Sequence, residues 1–182
     1  MNEITKEDLF IFHKLDDLMY WGILKIFMEK IQAHNGCKNM TEFGINTGSG
    51  SNKFLDVNPT CNYYGYDSWE GTNASAEAIA RKALKKYPNA TIFKQRTDIL
   101  KQLPTKMDFV YVDGGHSTED CLNDLELAKN NITEKGVIIV HDYFFHCVFK
   151  ATEDWYQKNK GEFDREQINL HRGWMIFWRK EK

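Results

Sequence analysis

Three prolines are scattered along the 182 residues, and no glycine/serine-rich linker, internal repeat or low-complexity tract divides them. A chain of this length without a linker is expected to form one domain with a sizeable core. Charge of one sign is also missing: 24 Lys and Arg stand against 26 Asp and Glu, a net charge of −2. No electrostatic pull toward nucleic acid is implied. The four cysteines, Cys37, Cys61, Cys121 and Cys147, form no CxxC pair, which argues against a zinc site. They are expected to be buried as small hydrophobes in a reducing compartment. The most apolar run, Leu18–Leu24, is interrupted at Lys25 and is too short to span a bilayer. The first residues are polar and acidic, unlike a signal peptide. A soluble, cytoplasmic protein with neither a membrane nor a nucleic-acid partner is the expectation.

Helical periodicity runs over 6–33 through Leu9, Phe12, Leu15, Leu18, Met19, Leu24, Phe27, Met28 and Ile31, and Asn35–Gly36 offers a stop. Short apolar runs then alternate with helical ones. Strands are predicted near 40–45, 62–67, 90–94, 108–112 and 136–141, and helices near 50–56, 73–86, 117–130 and 146–159. Such alternation predicts a mainly parallel sheet with helices on both faces. The tail departs from it: runs at about 164–170 and 174–179 flank Arg172–Gly173 with no helix between them, which predicts an antiparallel hairpin. In open sheets of this kind ligands bind beyond the C-terminal strand ends. The segments to inspect are therefore 44–50, 67–71, 95–98, 113–117 and 141–146.

The glycines of "EFGINTGSG" (42–50) follow the first predicted strand but match neither a phosphate loop nor a dinucleotide fingerprint. Glu42 beside them suits a cationic or amine-bearing ligand better than a pyrophosphate. Gly48 is placed where a side chain would meet that ligand. Asp67, at the tip of the second strand, can accept two hydrogen bonds from ribose hydroxyls. Thr97–Asp98, after the third strand, stand where an adenine amino group would be met. Together these features describe an adenosine without phosphates.

With these features the chain resembles the class I S-adenosylmethionine-dependent methyltransferases, and most of all the small-molecule and sugar O-methyltransferases of the macrocin and cephalosporin-tailoring type. The residues that carry the likeness are "EFGINTGSG", "YGYDSWEG" (64–71), "VDGGHSTED" (112–120) and "VIIVHDYF" (137–144), over about 40–145. The resemblance implies a Rossmann-like, mostly parallel seven-stranded sheet with a C-terminal antiparallel hairpin. In this reading a single domain, 1–182, has an N-terminal helical cap (1–36) and a Rossmann-like core (37–182). It also implies S-adenosylmethionine as cofactor, bound by Glu42, Gly44, Asn46, Gly48, Asp67, Ser68, Trp69, Asp98 and Asp113, with Trp69 stacked on the adenine. The acceptor would be a small polar molecule such as a sugar. The aromatic-rich first helix is suited to capping the pocket or pairing two subunits as a homodimer.

For catalysis, His116 is a candidate general base, because imidazole titrates near neutrality. The alternative is a helix-entry residue whose ring bonds nearby backbone, with Ser117 as N-cap and Asp120 at the third helical position. His141 is a second candidate base, and Asp113 is a candidate for both the cofactor site and catalysis. Asp113 and Asp142 are also candidate ligands for a divalent cation, since hard ions take oxygen ligands. Related sugar methyltransferases bind Mg2+ through three acids at these places, whereas this chain has His141 beside two. His13, His34, His146 and His171 stand apart from every motif. Two rivals stay open: a nicotinamide-dependent oxidoreductase, disfavoured by the glycine spacing, and a cofactor-binding protein without catalysis.

Overall fold

The computed structural model describes residues 22, 24–71, 74–169 and 172–180. Most of the helix expected over 6–33 lies outside them. Its described end, 24–35 (α1), is helical and stops at Gly36, whose φ of 72° is left-handed. The chain continues as β1 (Asn39–Phe43), α2 (Ser49–Val57), β2 (Asn62–Asp67), α3 (Ala76–Leu84), β3 (Ala90–Lys94), β4 (Met107–Val112), α4 (Thr118–Asn131), β5 (Ile132–Val140), α5 (His146–Asn159), β6 (Phe163–Ile168) and β7 (Trp174–Arg179). β5 begins at Ile132 rather than 136, because α4 passes into it without a loop and the β4–β5 register shifts between Met107 and Phe109.

The seven strands form one sheet in the order β3-β2-β1-β4-β5-β7-β6. β1 to β5 are parallel, and β7 enters antiparallel between β5 and β6. β4 is buried at every position, as expected of a parallel strand covered on both faces. Alternate residues feed two cores. Met40, Phe54, Tyr63, Phe109, Tyr111 and Ile139 pack with α1, α2 and α3 on one face. Phe43, Tyr66, Val110, Leu125, Trp155 and Phe177 pack with α4 and α5 on the other. Cys37, Cys61 and Cys121 are buried as expected, whereas Cys147, in the first turn of α5, is exposed. Trp155 and Trp174 are buried in the two cores. Among the described residues no helix is long and apolar enough to cross a membrane.

The register decides what meets at the site. Phe43 pairs with Tyr66 on one side and Val112 on the other, and Val112 pairs with Val140. The ladders then run one residue past the strands. Gly44 N donates to Tyr66 O (2.8 Å), Asp113 N to Phe43 O (2.8 Å), His141 N to Val112 O (2.9 Å) and Gln95 N to Asp67 O (2.9 Å). Gly44, Asp113, His141 and Gln95 are thereby held by main-chain bonds at the sheet's C-terminal edge.

Candidate active site

A cavity of about 590 Å³ opens along that edge. Gly44, Asn46, Asp67 and Ser68 line one end, with Gln95, Arg96, Thr97 and Asp98 beside them; Asp113, Gly114, Gly115, His116, His141, Asp142 and Arg172 line the other. The segments singled out by strand position therefore converge.

The first end is organised by Asp67. Its Oδ2 accepts from Asn46 N (2.7 Å) and its Oδ1 from Trp69 N (2.6 Å). Trp69 Nε1 in turn donates to Asn46 O (2.8 Å). Asn46 and Trp69 both have left-handed backbones, with φ of 49° and 53°. Such conformations persist where surrounding structure over-determines them, and they collect at functional sites. Asp67 supplies that determination, because one carboxylate ties the turns after β1 and β2 together. Each oxygen keeps a further acceptor position for a ligand.

Gly44 permits the close approach of β1 and β4 beyond their ends. At its φ of 89° a Cβ would lie 1.9 Å from Asp113 O, so no other residue fits. Three expected cofactor residues do not line the cavity. Gly48, the left-handed N-cap of α2, faces α3: a Cβ there would meet Ala80 Cα at 3.2 Å. The Trp69 ring is nearly buried beside the Arg81 guanidinium, 5.7 Å from its centroid, and packs into the core. Glu42 lies beneath the turn, where its Oε2 accepts from Ser51 Oγ and Tyr63 OH, each at 2.5 Å. Burial pushes its carboxyl up to about 8 against the pull of those two bonds.

Asp98 lines the cavity but is paired. Arg96 Nε and Nη2 reach its two oxygens at 3.0 and 2.9 Å, and this bond holds its carboxyl below the usual range. Arg96 also reaches Glu70 at 3.4 Å.

At the other end Ser117 caps α4, accepting from Asp120 N at 3.0 Å, as the helix-entry reading expects. The ring of His116, however, bonds a carboxylate rather than backbone: Nε2 lies 2.7 Å from Asp142 Oδ2. That bond raises its pKa above the ordinary 6.5, opposed by partial burial. Burial alone would raise the Asp142 carboxyl, but the His116 bond and the nearby charges of His141, His116 and Arg172 bring it below its ordinary value. His141 packs against Tyr111 and Trp174 (centroids 6.0 and 6.4 Å), and its Nδ1 is 2.9 Å from Asp113 Oδ1.

Asp113, His141 and Asp142 can each direct one ligand atom toward a common point, all within 4.8 Å of one another. Among the described residues Asp142 Oδ1 is buried without a hydrogen-bond partner, and it lies 3.6 Å from His141 Nδ1. The backbone of Asp142, at φ 54°, is left-handed as well. An acceptor atom left over in a buried cluster of two carboxylates and an imidazole is what a bound divalent cation would satisfy. His141 thus joins Asp113 and Asp142 in this group.

Arg96, Gln95 and Arg172 line the cavity although no motif marks them. Arg96 falls inside the post-β3 segment flagged by strand position, so that signal was available. Arg172 reaches the site only because β7 runs back beside β5. His34 packs edge-on against Trp178 and His146 opens α5, both away from the cavity, while His13 and His171 lie outside the described residues.

A parallel sheet closed by a reversed strand, with an acid- and histidine-lined cleft at its C-terminal edge, defines a class I methyltransferase fold. The family described as "Methyltransferase domain" matches residues 41–143, more than half of the chain. The chain belongs to this family, within the S-adenosylmethionine-dependent methyltransferases. The fold is shared with the S-adenosylhomocysteine-bound methyltransferase PaMTH1 of Podospora anserina (TM-score 0.70, 12% identity, 100% of this chain and 99% of that one). It is also shared with the O-methyltransferase TomG of Streptomyces achromogenes, involved in tomaymycin synthesis and solved with S-adenosylmethionine (TM-score 0.68, 13% identity, 88% and 79%). A third is the O-methyltransferase of Bacillus cereus solved with S-adenosylhomocysteine (TM-score 0.66, 11% identity, 97% and 92%). At these identities the likeness establishes the fold. No curated protein matches the chain in sequence.

Proposed function

We propose that this methyltransferase takes S-adenosylmethionine in the cleft and transfers its methyl group to an oxygen of a small polar acceptor such as a sugar. The observation that carries this reading is the continuity of one cavity from Asp67 and Asp98 to the Asp113, His116, His141 and Asp142 cluster. Asp67 offers its remaining acceptor positions to the ribose hydroxyls, and Thr97–Asp98 border the adenine. The backbone at Gly44 and Asn46, with Asp113, borders the amino-acid end. The nicotinamide reading has no glycine fingerprint to rest on.

In this reading Asp142 holds the proton on His116 Nε2, which leaves Nδ1 as the basic nitrogen. The acceptor hydroxyl gives its proton to that nitrogen. The acceptor oxygen forms the new bond to the methyl carbon while the carbon–sulfur bond breaks with its electron pair onto sulfur, leaving neutral S-adenosylhomocysteine. Removing the proton and aligning the acceptor are the protein's main tasks, since the sulfonium is already a good electrophile. Asp113, His141 and Asp142 would hold a divalent cation, Mg2+ or a softer ion, which acts as a Lewis acid that lowers the acceptor's pKa. The sugar acceptor is supported by the resemblance of "YGYDSWEG", "VDGGHSTED" and "VIIVHDYF" to the macrocin and cephalosporin-tailoring enzymes.

The test is calorimetry with S-adenosylhomocysteine, followed by turnover of S-adenosylmethionine against a panel of hydroxylated acceptors. Binding with acceptor-dependent turnover is expected. Binding without turnover against any acceptor would favour the non-catalytic reading.

A further inference from the structure

The cavity wall is rich in acid: Asp67, Glu70, Asp98, Asp113, Asp120 and Asp142 all line it. Of the two arginines among the lining residues, Arg96 is committed to Asp98 and Glu70. Arg172 is not committed in this way. Its guanidinium approaches Asp142 Oδ2 at 3.6 Å, too far for a hydrogen bond, and more than half of the side chain is exposed. Among the described residues it makes no side-chain hydrogen bond.

Its position is nevertheless held. Tyr143 N donates to Gly173 O (3.1 Å) and Phe144 N to Arg172 O (3.0 Å), so the turn after β5 and the hairpin that carries Arg172 are bound together. The guanidinium carbon lies 5.5 Å from the Phe145 ring centroid, and that ring lies 5.5 Å from the His116 ring. Phe145 is 45% exposed, beside Phe144 at 50% and Phe149 at 45%. Grouped exposed aromatics mark an interaction surface. Of these three, Phe145 borders the candidate base.

We propose that Arg172 and Phe145 form the acceptor subsite, and that it selects a hydroxylated ring bearing a carboxylate. The ring face packs on Phe145, the carboxylate takes the planar fork of Arg172, and a ring hydroxyl faces His116. An acidic cleft disfavours an anion everywhere except beside such a fork, so the geometry orients the acceptor as well as holding it. The same chemistry comes from an aromatic hydroxy acid or from a uronic acid, whose apolar ring face packs on Phe145. This inference rests on the methyl-transfer reading and names the acceptor class of that site.

The test uses the full chain saturated with S-adenosylhomocysteine. Calorimetry compares 3,4-dihydroxybenzoate with 1,2-dihydroxybenzene, and glucuronate with glucose. In one pair the acid is expected to bind about tenfold or more tightly than its neutral partner, consistent with a bidentate ionic contact. The pair that shows the preference identifies the source. Arg172→Gln should weaken the acid at least tenfold more than the neutral ring, and Phe145→Ala should weaken both by a similar factor. Equal affinity within both pairs, or an Arg172→Gln effect shared equally by acid and neutral ring, overturns the subsite. Failure of S-adenosylhomocysteine itself to bind is seen first, and it sinks the methyl-transfer reading together with this one.

Discussion

His116 Nε2 and Asp142 Oδ2 stand 2.7 Å apart, although 26 positions separate them in the chain. The pairing joins the loop after β4 to the loop after β5 and gives a candidate base its orienting carboxylate. A histidine raised in the fold contributes stability that is complete below its ordinary pKa of 6.5 and is lost as pH rises through the raised value. The free base is populated only above that raised value. The acid limb of kcat/KM should therefore lie above 6.5 and move to lower pH in Asp142→Asn, with a lower plateau. Asparagine tolerates the left-handed backbone at this position, so the variant is expected to fold. A limb that does not move in the pH–rate profile excludes His116 as the base.

Chelation addresses the Asp113, His141 and Asp142 group. EDTA should abolish methyl transfer and added Mg2+ or Mn2+ should restore it, with S-adenosylhomocysteine affinity largely kept, because Asp67 and Asp98 are not in the group that would hold the cation. His141→Ala should weaken metal binding, measured by calorimetry, by about tenfold or more. Full activity in EDTA would remove the cation from the mechanism and leave His116, then His141, as the bases to mutate.

Asp67→Ala should lower S-adenosylhomocysteine affinity at least about tenfold, since charge-assisted hydrogen bonds are each worth ~1.5–3 kcal/mol. The melting temperature should fall as well, because Asn46 N and Trp69 N both lose their acceptor. Asn46 is exposed and the Trp69 bond only partly buried, so the loss should be near ~1 kcal/mol, below the full cost of a buried unpaired donor, and ~1 kcal/mol moves the melting point of a chain this size by ~2–4 °C. Asp67→Asn should keep more stability than affinity. Unchanged affinity in a folded Asp67→Ala protein would refute the ribose assignment.

Glu42 gives a stability effect separate from catalysis. Its carboxyl is raised from 4.5 to about 8 by burial, so its contribution is complete below 4.5 and is lost as pH rises through 8. At ~1.4 kcal/mol per unit, the shift corresponds to an effect on the order of 4–5 kcal/mol across that window. Gln supplies an oxygen that can accept from Ser51 and Tyr63 but carries no charge. Urea unfolding at pH 6 and pH 9 should show Glu42→Gln gaining on the wild type as pH rises. A constant difference would mean that Glu42 is ionised in the fold at both values.

Much of the architecture was legible along the chain. The change from a 3.6 period to short apolar runs located every strand to within a few residues, because these elements follow local backbone preference and one-sided burial. The start of β5 was missed, since no turn residue separates it from α4. Asp67, Asp98, Asp113, His116 and Asp142 were legible from their place just after predicted strands. Glu42 was assigned to the ligand although strand parity sets it opposite Phe43, facing α2. Gly48 was likewise assigned to ligand contact, where α3 instead occupies the space beside it.

The order of residue types along the chain was enough to imply a parallel sheet, its reversed hairpin and the edge at which a ligand binds, because periodicity and turn chemistry are local properties. Partnerships were decided by the folded sheet. The ladders that continue past Phe43, Val112 and Asp67 set Gly44, Asp113, His141 and Gln95 along one edge. Main-chain bonds from Tyr143 and Phe144 to the hairpin carry Arg172 to the same cleft from far along the chain. Whether a carboxylate there meets a histidine, an arginine or a buried hydroxyl depends on strand register and on the left-handed turns at Asn46, Trp69 and Asp142, neither of which a local sequence pattern encodes.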